Sequence, residues 1–252
     1  IYTERSGVVN IAIEGMMLTG AFFGFIAGVY THRLIAGLAF AILSGVAMAA
    51  LHAALSVGFG VDQIISGTVI NILAVGLTGY LNRQLFYSGA PGGQSVLPAL
   101  NIPGLSDMPV LGEIFFSQQP ITYTALVLVV VTQVVLFHTV WGPRTRAVGE
   151  HPLAADTMGI PVNRVRTINV LIGGALAGLG GAYFTLESVA HFEPLMTNGQ
   201  GFIALAAMIF GKWTPFGALG AALLFGVTEA LPVTLQGQGI QFPYEIVGML
   251  PY

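Results

Sequence analysis

The stretch Ile121-Thr-Tyr-Thr-Ala-Leu-Val-Leu-Val-Val-Val-Thr-Gln-Val-Val-Leu-Phe-His-Thr-Val-Trp141 holds no Asp, Glu, Lys or Arg. A helix needs about 20 apolar residues to cross a hydrocarbon core of about 30 Å, so this segment reads as a membrane span. Working outward, the charge-free intervals give further spans at about Ile11 to Tyr30, Leu34 to Val57, Asp62 to Leu81 and Thr167 to Leu186. Beyond these the pattern shortens. Gly201 to Gly211 is apolar but too short to cross, and Pro215 separates it from Phe216 to Leu231. A break of this kind predicts a re-entrant or discontinuous helix, which survives at membrane depth only where protein or a water-filled cavity covers it. A last segment begins at about Tyr244. The expected fold is all-α, a polytopic transmembrane helix bundle with about 7–8 membrane segments, forming one domain over 1–252.

Composition agrees. Of 252 residues, 55% are apolar and 8% charged, and the mean hydropathy is +0.82. Soluble domains carry about 25% charged residues, so this chain has too few charges to wet a globular surface. A net charge of -3 leaves no basic face for nucleic acid. The absence of Cys excludes disulfide scaffolds, thiolate metal sites and cysteine nucleophiles. The chain opens at Ile1 without a charged leader and stops at Pro251-Tyr252 in an apolar stretch, so no signal peptide is expected and helices are expected beyond both ends.

Basic residues orient the spans. Arg144, Arg146, Arg164 and Arg166, four of the eight Lys and Arg, fall within 143–166, which is therefore read as a cytoplasmic loop. Counting back places 83–119 outside, Gly58 to Val61 inside, His32-Arg33 outside and Glu4-Arg5 inside. The outer loop is rich in Gly and Pro, a turn-forming composition. Gly20, Gly24 and Gly28, and likewise Gly174 and Gly178, recur at a spacing that lets helix backbones approach closely in lipid.

Candidate chemistry concentrates in few places. Asn10 and Glu14 are four apart, on one helix face, where apolar residues take over. A carboxylate inside a span is costly and usually tied to a cavity, partner or pathway, although an interfacial Glu14 would merely cap or snorkel. Asn71, mid-span, serves either a polar substrate or a neighbouring helix. Glu187 and Glu229 fall near span ends and read as interfacial, while His52 and His138 read as packed or interfacial. In the 143–166 loop, Pro152 at a helix start and Gly159 after Met158 predict a short amphipathic helix. Such a helix is either a knob for a partner's groove or part of a loop that only sets topology. No metal-ligand spacing and no nucleophile elbow occurs, so no catalytic and no metal residue is assigned. Lys212 follows Gly211, but Ala206 stands where a phosphate loop needs Gly, and Trp213 where it needs a hydroxyl. Any coupling to ATP must then come through a partner.

Three motifs carry a resemblance: Ser6-Gly-Val-Val-Asn-Ile-Ala-Ile-Glu-Gly-Met-Met-Leu18, Val148-Gly-Glu-His-Pro-Leu-Ala-Ala-Asp-Thr-Met-Gly-Ile160 and Gly199-Gln-Gly-Phe-Ile-Ala-Leu-Ala-Ala-Met-Ile-Phe-Gly-Lys-Trp-Thr-Pro-Phe-Gly217. They resemble the membrane permease subunits of ABC importers for branched-chain amino acids, ribose and nucleosides, nearest the nucleoside (guanosine-type) branch. Ala12 departs from the Gly more usual there, small for small. The resemblance implies a multi-pass permease of the bacterial cytoplasmic membrane, working with a cytoplasmic ATP-binding cassette ATPase, a second permease subunit and an extracellular or periplasmic substrate-binding protein. It implies no cofactor of the permease's own, ATP being used by the partner. Arg144, Arg146, Glu150, His151, Pro152, Ala154, Ala155 and Gly159 would form the coupling segment, and Asn10, Glu14, Asn71, Gln200 and Phe202 would line the translocation path. The competing expectation is an ion-coupled secondary carrier of a small polar solute, with Glu14 as its ion site.

Overall fold

Helices follow the charge-free intervals. The computed structural model describes residues 1–86, 96–101, 103–104, 106 and 116–237. A short α1 (Tyr2–Arg5) leads through an unwound segment, 6–12, into α2 (Ile13–Thr31). Then come α3 (Leu34–Ala53) with a wide turn at Ala54–Gly58, and α4 (Gln63–Leu85). Strand β1 (Leu100–Asn101) pairs antiparallel with β2 (Ser117–Gln118). There follow α5 (Pro120–His138), α6 (Trp141–Glu150), α7 (Pro152–Thr157) and α8 (Val162–Tyr183) with a second wide turn at Phe184–Ser188. Last come α9 (Gln200–Phe210) and α10 (Pro215–Gly237). Among the described residues, five helical segments are long and apolar enough to cross a membrane, and Gln200–Phe210 and Pro215–Leu231 are shorter apolar helices. The chain is a multi-pass all-α membrane protein, its strands among the described residues confined to one two-residue pair. The segment read from about Tyr244, and much of the 83–119 loop, lie outside the described residues.

The punctuation is local. Asp62 caps α4, accepting from the N–H groups of Ile64 at 2.9 Å and Ile65 at 3.0 Å, two of the donors a helix start leaves unpaired. Pro stands first in α5, α7 and α10, where its fixed φ suits a helix start and its missing N–H costs nothing. Gly159, at φ +77°, turns the chain after α7.

The bundle is centred on α2, α3 and α8, which approach backbone to backbone. A Cβ on Gly20 would stand 2.6 Å from the Gly178 carbonyl oxygen, and one on Gly45 would run into that of Gly174. The small residues at these positions therefore do what the spacing predicted. Around them pack Val8, Ala12, Met16, Ala49, Ile70 and Val170, and farther along α2 an aromatic group in which Phe22 meets Phe192 edge-on at 4.9 Å. Ile64, Val69 and Ile72 of α4 and Val127, Val130 and Val134 of α5 face outward, as apolar side chains do toward lipid.

Two expectations are corrected. The stretch 143–166 is mostly helical: Arg144, Arg146 and Glu150 stand on α6, and Arg164 and Arg166 on the start of α8. Buried Gly142, Thr145 and Val148 recur every third residue, a helical stripe that the polar residues between them obscured. Asn10 does not share a helix with Glu14, because the backbone from Ser6 to Ala12 is unwound.

Candidate functional site

An unwound segment inside a membrane bundle must find partners for its peptide groups, and here neighbouring side chains supply them. Arg166 Nε donates to the Ser6 carbonyl at 3.1 Å. Gln63 accepts from the Val9 N–H at 2.6 Å and donates to the Gly7 carbonyl at 3.4 Å. His52 Nε2 donates to the Val9 carbonyl at 3.3 Å, while its Nδ1 pairs with the Ser66 hydroxyl at 3.0 Å. Asn71 donates to the Ile11 carbonyl at 3.0 Å and accepts from the Gly15 N–H at 2.8 Å. Side chains from α3, α4 and α8 thus hold the unwound 6–12 segment and its entry into α2 in one conformation. Asn10 is 1% exposed. Its Nδ2 lies 3.6 Å from Met16 Sδ, and its Oδ1 has no hydrogen-bond partner among the described residues.

Beside this segment lies α9, gripped at both ends. Glu14 accepts from the Thr197 hydroxyl at 2.6 Å, the Gly199 N–H at 2.9 Å and the Gly201 N–H at 2.7 Å. The carboxylate thereby caps the N-terminus of α9, where it also complements the helix dipole. At the other end, Arg5 donates from Nε and Nη2 to the Trp213 carbonyl at 3.2 and 3.1 Å, and from Nη2 to that of Lys212 at 3.4 Å. Gln200 donates to Glu229 at 2.6 Å on the exposed side, and Phe202 is 47% exposed. The structure therefore brings Glu14 to the start of α9 beside Gln200, and sets Asn10 in the unwound stretch with Asn71 of α4 bonded to it. Sequence reasoning missed Arg5, Gln63 and Thr197 as partners. It read His52 as packed or interfacial, although a polar ring in an apolar run does call for a bond.

A second clasp lies at Glu187, the residue read as interfacial near a span end. That residue is 2% exposed, and it accepts from the Ile121 N–H and from the Thr122 hydroxyl, capping α5. Past it, in the 189–199 loop, His191 bonds Glu193 at 3.0 Å. The Glu193 carboxylate and the Val189 carbonyl raise the imidazole pKa above its ordinary value.

The α6–α7 arm stands with α1 and Gln63 at one end of the bundle. Ala155 is buried on Val148 and Val165, whereas Leu153 is 84% and Met158 81% exposed. Arg144, Glu150, His151, Ala154 and Gly159 are exposed and Pro152 half-buried. Arg146 turns inward, donating to the Leu136 carbonyl at 2.6 Å and lying over the Phe137 ring at 5.3 Å. It caps α5 rather than facing outward.

A polytopic bundle with an interrupted α9, an unwound partner segment and an exposed polar arm at one end defines a membrane transport permease. The chain belongs to the family described as the permease component of the branched-chain amino acid transport system, whose model matches residues 1–251. It is 43% identical to a guanosine ABC transporter permease protein of Bacillus subtilis, over 92% of this chain and 76% of that one. It is 39% identical to a nucleoside ABC transporter permease protein of Lactococcus lactis, over 100% and 82% of the two chains. A Haloferax volcanii protein provisionally named a glucose ABC transporter permease is 37% identical, over 94% and 72%. No solved structure matches the chain significantly.

Proposed function

We propose that this chain is the permease subunit of an ATP-binding cassette importer that carries nucleosides or related ribosides across the bacterial cytoplasmic membrane. The observation that carries the substrate class is its 43% and 39% identity to guanosine and nucleoside permeases over nearly the whole chain. ATP is hydrolysed by a separate cytoplasmic ATPase. A second permease completes the pore, and a binding protein delivers solute from outside.

The end bearing α6, α7 and α1 faces the cytoplasm, where Arg144, Arg146, Arg164 and Arg166 obey the positive-inside rule. On that end α7 is the coupling helix. Leu153, Met158, Glu150, His151, Pro152, Ala154 and Gly159 offer the docking surface, with Ala155 and Arg146 fixing it from beneath. Translocation follows α9 and the unwound segment, since interrupted segments point to a transporter's central site. Gln200 and Phe202 line the path on α9, and Asn10, Glu14 and Asn71 frame it. Glu14 already accepts three hydrogen bonds, which lends no support to an ion-coupled carrier.

The test is uptake of labelled guanosine by cells expressing the intact operon, with competition by ribose, glucose, purine and pyrimidine nucleosides. Nucleosides should compete and the free sugars should not. Uptake that persists without the ATPase and collapses with an uncoupler would overturn the reading.

A further inference from the structure

We propose that Arg5 is a positioning residue that transmits movement of the α6–α7 arm to α9, with the segment from Arg5 to Glu14 as the link. The inference rests on the permease reading above.

Three observations place the link. First, one short stretch of chain grips both ends of α9, Glu14 at its start and Arg5 at the carbonyls that follow it. A negative group at the N-terminus and a positive one at the C-terminus complement the helix dipole. Second, left-handed residues bound α9: Gly199 at φ +86° on one side, Lys212 and Trp213 each at φ +53° on the other. These turns break the helix from its neighbours in the chain, so the bonds to Arg5 and Glu14, with its packing on α10 through Phe210 and Phe225, set where it stands. Third, the same stretch rests on α6 without a cushion. A Cβ on Gly149 would run into the Arg5 carbonyl oxygen, and one on Gly7 would lie 3.2 Å from Gly149 Cα. Arg166 adds its bond to the Ser6 carbonyl. Gly149 directly precedes Glu150-His151-Pro152, so a shift of the arm meets the Arg5–Gly7 backbone with no flexible side chain between. Arg5 then passes that shift to Trp213. Its planar fork reaches two successive carbonyls, which a Lys point donor does not reproduce fully.

The experiment uses the intact importer, with its ATPase and binding protein, in proteoliposomes. Arg5→Met, Arg5→Gln and Arg5→Lys are compared with wild type for solute uptake and ATP hydrolysis, each per folded permease counted by gel filtration. In Arg5→Met, uptake is expected to fall about tenfold with basal hydrolysis within about twofold, so that ATP consumed per solute rises. Arg5→Lys should recover to within about threefold of wild type, and Arg5→Gln should fall between. If Arg5→Met fails to assemble, Arg5→Gln carries the same comparison. Unchanged uptake overturns the proposal, and so does a parallel fall of uptake and hydrolysis, which marks a merely structural brace. Wild type without ATP-dependent uptake removes the permease reading itself. Active wild type with indistinguishable Arg5 variants removes only this inference.

Discussion

Gly201 gives its N–H to the Glu14 carboxylate at 2.7 Å, and a Cβ on Gly201 would stand 2.7 Å from Glu14 Cα. Cap and close approach occupy one spot, so the glycine is required by space. Gly201→Ala must push α9 away from α2 and lose the cap with it, at a cost of about 1–3 kcal/mol. Thermal unfolding in detergent should show a clear drop in midpoint. Gly220→Ala is the control: among the described residues nothing lies within 4 Å of its Cβ position, and its midpoint should hold or rise slightly. Equal behaviour of the two variants would remove the steric argument.

Glu187 makes a similar demand at the start of α5. Glu187→Ala leaves the Ile121 N–H and the Thr122 hydroxyl without their acceptor in a buried setting, at about 1–3 kcal/mol. Glu229→Ala removes only an exposed partner of Gln200 and should change stability by no more than about 0.5 kcal/mol. Comparable losses from both would contradict the buried clasp.

Leu153 on the short α7 and Met158 just after it are two large apolar side chains held outward. Replacing both by Ser leaves Ala155 and its packing untouched, so folding is expected to be unchanged. Affinity for the ATPase should fall about tenfold or more, as expected when central apolar contacts of an interface are truncated. Co-purification of the ATPase with the permease reads this directly, and undiminished recovery would move the docking surface elsewhere.

His191 titrates above the ordinary histidine value of about 6.5 because the imidazolium is held by Glu193 and the Val189 carbonyl. Since the folded pKa is raised, the contact contributes fully below the ordinary value and is lost as pH rises through the raised one. Glu193→Gln should bring the titration back down. Imidazole resonances followed by NMR against pH check this, and coincident curves for the two proteins would refute it.

Much of this architecture was legible along the chain. Spans could be read because lipid tolerates about 20 uncharged apolar residues and little else. The spacings of Gly20, Gly24 and Gly28 and of Gly174 and Gly178 announced close helix approach, though not which helices meet. The short α7 was readable from Pro152 and Gly159, which act on their own backbone. The helix of α6 was not, because its apolar stripe of Gly142, Thr145 and Val148 is thin among charged neighbours.

The chain's chemistry alone thus determined a multi-pass helix bundle, its interruption near α9 and an exposed polar arm. Only the tertiary structure decided what Glu14, Asn71 and Glu187 do. Glu14 read as a path or partner group or as an interfacial cap, Asn71 as a substrate or helix contact, and Glu187 as interfacial. The choice depends on which backbone lies opposite, and that is set by the depth and rotation of helices distant in sequence. With the helices packed, Glu14 meets the start of α9, Asn71 meets the unwound backbone and Glu187 meets the start of α5. An unpaired peptide group is costly where water is absent, and these three side chains stand where that cost would otherwise fall.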